Sequence, residues 1–389
     1  MLTKNIRLKN FNIKTKTKEI INIFNNLKKD FTPKKKTIYS SLQHNYQYTY
    51  DKKVVKKYKK FSNFRIIGMG GSILGIKAIY KFLKHRIKKN FYFVDNLGAK
   101  VKKFSKLEKK IVNIVISKSG NTLETIVNSN IILNRGKNNI FITEKKNNYL
   151  HNFAKELKAE IIEHKNFIGG RYSVLSEVGM LPAELMGLKE KSFKQFNLII
   201  KNKVFLNQLF QNVASILNLS KKGKNTSVIL NYDRSSDNLF KWYQQLIGES
   251  LGKKSKGILP VISSMPKDNH SLMQLYLDGP QKNFYTFFYS HENKTDLIKN
   301  KNLLKSHNFL KNKKIENIIN IQKKATENVF KKKNIPFRSF EIFNRNEQAI
   351  GEIFCFFILE TILLGRALNV NPFDQPSVEL IKKETKKIF

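Results

Sequence analysis

The feature that most constrains this chain is an alternation that begins at Phe64. Short β-rich runs (FRII, FYFVD, IVNIVI, NIFIT, EIIE) are separated by amphipathic stretches of helical length at 72–86, 122–135 and 148–158. Strands spaced by helices are joined by right-handed crossovers, which predicts a mostly parallel sheet with helices on both faces. After a helical stretch near 193–219 the alternation resumes with TSVILNY, a helix over 237–251, GILPVIS, a short helix after His270, FYTFFYS, a lysine-rich helix and FRSFEI. The expected fold is therefore α/β, with two three-layer αβα sandwiches and mostly parallel sheets over 61–190 and 191–370. Residues 1–60, polar and rich in lysine, read as an N-terminal helical arm with loops. A long helix over 346–368 and a C-terminal helix within 371–389 complete the chain. Ligands of open parallel sheets sit beyond the carboxyl ends of the strands, so the strand-to-helix junctions are where chemistry is expected.

A chain of 389 residues is long enough for two cores. Its lone cysteine, Cys355, lies in IFCFFIL and reads as a buried, inert thiol. The 73 basic residues against 29 acidic ones, a net charge of +44, raise the question of nucleic acid or an anionic membrane surface. The lysines, however, are spread along the chain among Asn, Ile and Phe, as a genomic codon bias produces, and no zinc-finger, basic-zipper or RNP pattern accompanies them. No specific nucleic-acid partner is expected; the field attracts anionic substrates and fades with salt. The start, MLTKNIRLKNFNIK, lacks the apolar stretch of a secretory signal and, with the cysteine usage, points to the cytoplasm. The apolar run 350–368 is interrupted by Glu352, Glu360 and Arg366, so it reads as a buried helix and not a membrane span. Being too apolar for open surface, it is also a candidate for part of a subunit interface.

The first chemical segment is GMGGSILG, residues 68–75, which follows FRII and opens a helix. Glycines there let the backbone approach an anion, and the free N–H groups of a helix start favour negative charge near Gly71 and Ser72. The segment lacks the lysine and hydroxyl of a P-loop, and Ile73 replaces the third glycine of GxGxxG. Asp95, ending FYFVD, keeps a dinucleotide reading open. The second segment is SKSGNTLET, which gathers Ser117, Lys118, Ser119, Thr122 and Thr125 at one strand-to-helix turn. A helix start needs one cap, so the surplus of hydroxyls points to phosphate. This SxSGxT pattern after a strand resembles the phosphosugar loop of sugar isomerase (SIS) domains, which implies a sugar phosphate but no particular reaction.

GGRYSVLSEVGMLP, residues 169–182, places Arg171 after two glycines, beside the ligand edge of the first sheet. WYQQLIGESLGK puts Gln245 and Glu249 one turn apart on one helical face, with Gly248 and Gly252 thinning the helix there. KDNHSLMQL sets His270 at a strand-to-helix junction, and NPFDQPSVELIK sets Gln375 and Lys382 on a shared face. Singly, each reads as structural more readily than as catalytic: a solvated turn arginine, a solvated glutamate on a surface helix.

In this order the segments resemble the glucose-6-phosphate isomerase family from residue 64 to the C-terminus, and in length its compact members. GGRYSVLSEVG and FDQPSVELIK are the most specific matches. SKSGNT has fewer threonines than the long forms, and KDNHS replaces a glycine-rich stretch before the histidine; both departures bear on substrate selectivity. The resemblance implies two SIS-type sandwiches and the reversible isomerisation of D-glucose 6-phosphate and D-fructose 6-phosphate, a step of glycolysis and gluconeogenesis. It implies no metal, no organic cofactor, a C-terminal helix over 371–389 that closes the active site, and a homodimer with shared active sites. It also implies roles. His270 and Lys382 would open the sugar ring, a task that suits imidazole with its pKa near about 6.5. Glu249 would move the proton between C2 and C1, and Arg171 would stabilise the enediolate. Gly71, Ser72, Ser117, Lys118, Ser119, Thr122 and Thr125 would hold the phosphate, with Gln245 and Gln375 adding hydrogen bonds. The alternatives are an isomerase that also takes mannose 6-phosphate, a non-catalytic phosphosugar sensor, and a nucleic-acid-binding protein.

Overall fold

The computed structural model describes residues 1–32, 35–98, 110–135, 138–292, 295–299 and 303–389. The chain opens with β1 (Ile6–Lys9), α1 (Lys18–Leu27) and α2 (Lys52–Tyr58). The first alternating block follows: β2 (Asn63–Gly68), α3 (Leu74–Phe82), β3 (Asn90–Val94), β4 (Ile111–Ile116), α4 (Leu123–Ile132), β5 (Asn139–Thr143), α5 (Tyr149–Glu156) and β6 (Glu160–Glu163). α6 (Glu177–Leu185), α7 (Phe196–Ile199) and α8 (Lys203–Lys221) lead to the second block. That block contains β7 (Thr226–Asn231), α9 (Asp237–Leu251), β8 (Leu259–Ser264), α10 (Met273–Asp278), β9 (Asn283–Ser290), α11 (Ile315–Lys332) and β10 (Phe337–Ile342). α12 (Glu347–Ala367) and α13 (Pro376–Ile388) end the chain.

The strands form two sheets, ordered β3-β2-β4-β5-β6 and β1-β10-β9-β7-β8. Every pairing is parallel except that of β1 with β10. Neighbouring residues on a strand face opposite layers. On β2, Ile66 joins the core between the sheets while Ile67 packs beneath α4 and α5; on β7, Ile229 faces that shared core while Val228 and Leu230 face α10 and α11. These layers make two three-layer sandwiches, as expected. In the first sheet the winding reverses between β2 and β4, so the turns after those two strands flank one crevice. α3, from one sandwich, packs on α9, from the other.

Two expectations change. The N-terminal arm is not only helix and loop: Ile6 and Leu8 are buried, Arg7 and Lys9 exposed, and this alternating strand edges the second sheet. α12 is the buried helix expected, and its burial within the chain leaves it no apolar face for an interface. It is long and apolar enough to cross a bilayer, but 94% of its most apolar window is buried, packed by α1, α8 and α9. Its interrupting carboxylates have partners inside the protein. Glu360 accepts from Arg338, Asn212 and Tyr243, and Glu352 accepts from Thr3 and Asn5. Cys355 is buried on this helix, and burial pushes its thiol up to about 12.

Lys194 joins the arm to the segment after Arg171. Its buried Nζ donates to the carbonyls of Ser41 and Leu175 and lies 4.9 and 5.0 Å from the ring centres of Tyr46 and Tyr48. Burial lowers its pKa from 10.5 to about 7. Between those values the folded amine is neutral and the unfolded one charged, so unfolding takes up a proton. Stability from this group is therefore full above the unfolded value and lost as pH falls through about 7. Denaturation of Lys194→Met is expected to lack the part of the rise in stability between pH 7 and 10 that wild type shows; equal slopes in the two proteins would contradict it.

Candidate active site

The site begins where two glycine turns meet. A Cβ on Gly71, in the turn after β2, would lie 2.2 Å from the carbonyl carbon of Gly170. Only glycine permits this contact, which brings the residue after Gly170 against the carboxyl end of the first sheet. That residue, Arg171, is 2% exposed, and each N–H of its guanidinium has an acceptor. Nε donates to Ser250 Oγ at 2.8 Å; Nη1 donates to Glu249 Oε2 at 3.1 Å and Gln375 Oε1 at 2.6 Å. Nη2 donates to the carbonyls of Pro372 at 2.7 Å and Asp374 at 3.0 Å.

Glu249 and Gln245 share a face of α9, and Gln245 Nε2 donates to Glu249 Oε1 at 2.8 Å. The carboxylate is thus held from two sides by different donors while its side chain stays 29% exposed. A Cβ on Gly248 would meet nothing within 4 Å, so the helix beside the carboxylate is open.

At the neighbouring turn, Ser117 and Thr122 hydroxyls are 2.9 Å apart, and exposed Ser119 accepts from the N–H of Asn121 at 3.3 Å. Thr122 holds the N-cap position of α4, yet its side chain makes no capping bond. The turn's glycine, Gly120, has φ +69°, and a Cβ there would collide with Asn148 Oδ1 at 1.7 Å. Ser72 is buried beside the first turn, and Thr125 is buried with its hydroxyl enclosed. Lys118 donates to the carbonyl of Asn166 at 2.6 Å, and burial lowers its pKa.

The structure therefore gathers Gly71, Arg171, Gln245, Glu249 and Gln375, with the hydroxyl turn across the crevice. Two residues stand apart. His270 is exposed at the end of the turn Lys267–His270 after edge strand β8, with no side-chain hydrogen bond among the described residues. Lys382 pairs with Glu379 at 2.7 Å on α13, which has no buried residue.

Sequence reasoning missed several supports. Tyr172 bonds Ser250 at 2.9 Å and donates to the Pro372 carbonyl at 2.8 Å; Trp242 Nε1 donates to the Arg171 carbonyl at 3.2 Å. Lys253 ties Asp374 at 2.9 Å and holds its carboxyl below the usual range. Asp268 fixes the His270 turn by accepting from the N–H of Ser264 at 2.7 Å. Ser250 had one local signal, its place directly after Glu249.

Solved structures share this architecture. A hypothetical protein from Thermus thermophilus superposes with a TM-score of 0.80 over 97% of this chain and 99% of its own, at 21% identity. A glucose-6-phosphate isomerase from Chlamydia trachomatis gives 0.70 over 90% and 77%, at 18% identity. The two-sandwich fold is thus one that these solved structures share. Sequence takes the assignment further: the profile of phosphoglucose isomerases matches residues 28–264. The glucose-6-phosphate isomerase of Methanocaldococcus jannaschii is 35% identical over 353 residues, 84% of this chain and 85% of that protein. That of Clostridium tetani is 30% identical over 373 residues, 86% and 83% of the two chains. The chain belongs to the phosphoglucose isomerase family.

The glycine contact yields a direct test. Gly71→Ala must push the two turns apart and displace Arg171, and misplacement by about 1 Å costs on the order of 10²-fold in rate. The expected result is a large fall in kcat/KM with the melting temperature changed by a few degrees; activity near wild type would show that the contact does not align the site.

Proposed function

We propose that in this chain, an aldose–ketose isomerase that interconverts D-glucose 6-phosphate and D-fructose 6-phosphate, Glu249 is the base that moves the proton between C2 and C1. The observation that carries the reading is the carboxylate of Glu249 held 3.1 Å from the buried Arg171 guanidinium while still open to the crevice. A single carboxylate on one face of the sugar suits suprafacial transfer. The enediolate formed midway bears negative charge, and a guanidinium fixed before the reaction stabilises it without reorganising.

The phosphate is assigned to Ser117, Ser119 and Thr122 with the N–H groups that start α4, and to the Gly71–Ser72 turn; the uncapped Thr122 hydroxyl supports this. Gln245 and Gln375 orient the sugar between Glu249 and Arg171. Ring opening falls to His270 and Lys382. Exposed on an edge, His270 suits a homodimer in which each copy offers its imidazole to the other's site. Lys382 would enter as α13 swings inward about Gln375, which Arg171 already holds.

Glu249→Gln keeps the shape and removes the base. It is expected to bind fructose 6-phosphate but retain less than about a hundredth of wild-type kcat, since positioned bases contribute 10² to 10⁴-fold. Higher residual activity would remove Glu249 from the role. Wild type without turnover on that substrate would favour the sensor, and the same assay on mannose 6-phosphate sets the substrate range.

Subunit sharing is tested by mixing two inactive variants, Glu249→Gln and His270→Ala, and allowing exchange. Random assortment makes about half of the dimers mixed, each with one site carrying both defects and one carrying neither, so activity recovers to roughly a quarter of wild type. Mixed dimers verified by mass spectrometry that stay inactive would mean that His270 serves its own chain.

A further inference from the structure

A second cavity, about 750 Å³ in volume, opens beyond the carboxyl ends of β5 and β6. Its walls are the arm segment 35–47 and the turns that follow the two strands, 144–146 and 163–167. Arg171, Gln245, Glu249 and Gln375 are not among its lining residues. The size falls within the range of small-molecule sites, about 300–1,000 Å³, and the carboxyl edge of a parallel sheet is where such sites form.

Its lining is basic even for this chain. Lys35, Lys36, Lys145, Lys146 and Lys165 converge from three separate segments. The acidic lining residues are Glu144 and Glu163, and Glu144 is already engaged by Lys146, with Lys118 at 3.9 Å. Lys35 pairs with Asp30, outside the cavity. Lys165 donates to the Gln47 carbonyl at 2.6 Å and lies 4.2 Å from the centre of the Tyr46 ring. Lys36 and Lys145 have no ion pair or side-chain hydrogen bond among the described residues. Burial holds Lys165 below its usual pKa against the pull of the Glu177 and Glu163 carboxylates, and the charge of Lys36 acts in the same direction as burial.

Scattered surface lysines avoid one another; these are held together by three ordered segments. Bringing like charges together costs energy that an anion between them recovers, and ammonium groups on separate segments are matched by an anion with more than one charged group. Tyr46 and Phe167 add apolar wall beside the charges. We propose that this cavity binds a small molecule carrying two or more phosphoryl groups, at a site distinct from that of the sugar monophosphate.

Inorganic tripolyphosphate, titrated by calorimetry at physiological ionic strength, tests the proposal. Wild type should bind, and Lys36→Glu with Lys145→Glu should weaken binding by about tenfold or more, because two charges reverse sign. Lys36→Ala with Lys145→Ala should weaken it less, in the same direction. Two comparisons separate the site from its rivals. Lys53→Glu with Lys56→Glu, on exposed α2 and outside the cavity lining, makes the same change in net charge and should leave the affinity as it was. Ser119→Ala with Thr122→Ala, in the sugar-phosphate turn, should leave it as well. The proposal is overturned by a wild type that does not bind, by an α2 variant that loses as much affinity as the cavity variant, or by binding that disappears with the Ser119 and Thr122 hydroxyls. None of these readings depends on isomerase activity, so the result stands apart from the assignment of Glu249.

Discussion

The buried guanidinium of Arg171 is the interaction on which the rest of the site depends. Removing a cation from water costs several kcal/mol unless its hydrogen bonds are all replaced, and here each N–H has an acceptor. Those acceptors come from places far apart in sequence, α9 and the segment before α13, so satisfying one side chain draws three parts of the chain to a point. The requirement reaches the backbone. Arg171 can sit there only because Gly71 carries no side chain to strike the backbone of Gly170, and its own carbonyl is held by Trp242 of α9.

The two sandwiches divide the work accordingly. The first supplies the crevice between β2 and β4, with neutral hydroxyls and helix starts suited to an anion. The second supplies the carboxylate, because α9 leaves β7 and packs on α3, the helix that opens after the Gly70–Ser72 turn. Beneath α9 lies the Arg338–Glu360 pair, both fully buried, joined by Tyr243 of α9 and Asn212 of α8. Breaking such a pair leaves an unmatched charge in the core, so the network opposes displacement of α9 relative to α8 and α12. The carboxylate is thus carried by a helix fixed on both its faces.

What the sequence made legible follows from the range of each interaction. Period-2 runs between amphipathic stretches located both sheets, and the helix expected over 237–251 spans those residues in the structure, because local patterning determines such elements. β1 escaped notice since IRLK offers a single cycle of alternation inside a lysine-rich arm, and its pairing with β10 is contact across most of the chain. α12 is the buried helix its interrupted apolar run implied, but the further reading as part of an interface failed because apolarity is the same whether it faces a partner or the chain's own core; only the positions of α1, α8 and α9 decide between them. Tyr172, Ser250 and the Pro372 carbonyl form one cluster that no local pattern announces, since its members meet only through the burial of Arg171. The motif resemblance named His270 and Lys382, but they sit on an exposed turn, held by the hydrogen bonds of Asp268, and on a helix with no buried residue, so neither side chain is placed by core packing.

Charge and recognition separate in this protein. With 73 basic residues against 29 acidic ones, an anion meets a favourable potential almost anywhere on the surface, and beyond about 8 Å physiological salt screens it. Such a field concentrates sugar phosphates near the molecule but cannot tell one location from another. Discrimination of a sugar phosphate comes from donors that act only at contact distance and in fixed directions, a part that in the proposed site falls to the hydroxyls of Ser117, Ser119 and Thr122 and the N–H groups of α4. A lysine at that turn would add attraction without adding direction, and the one lysine there, Lys118, is turned away to the carbonyl of Asn166. In a chain this basic, a neutral turn of directed donors is what would make the proposed sugar-phosphate site selective.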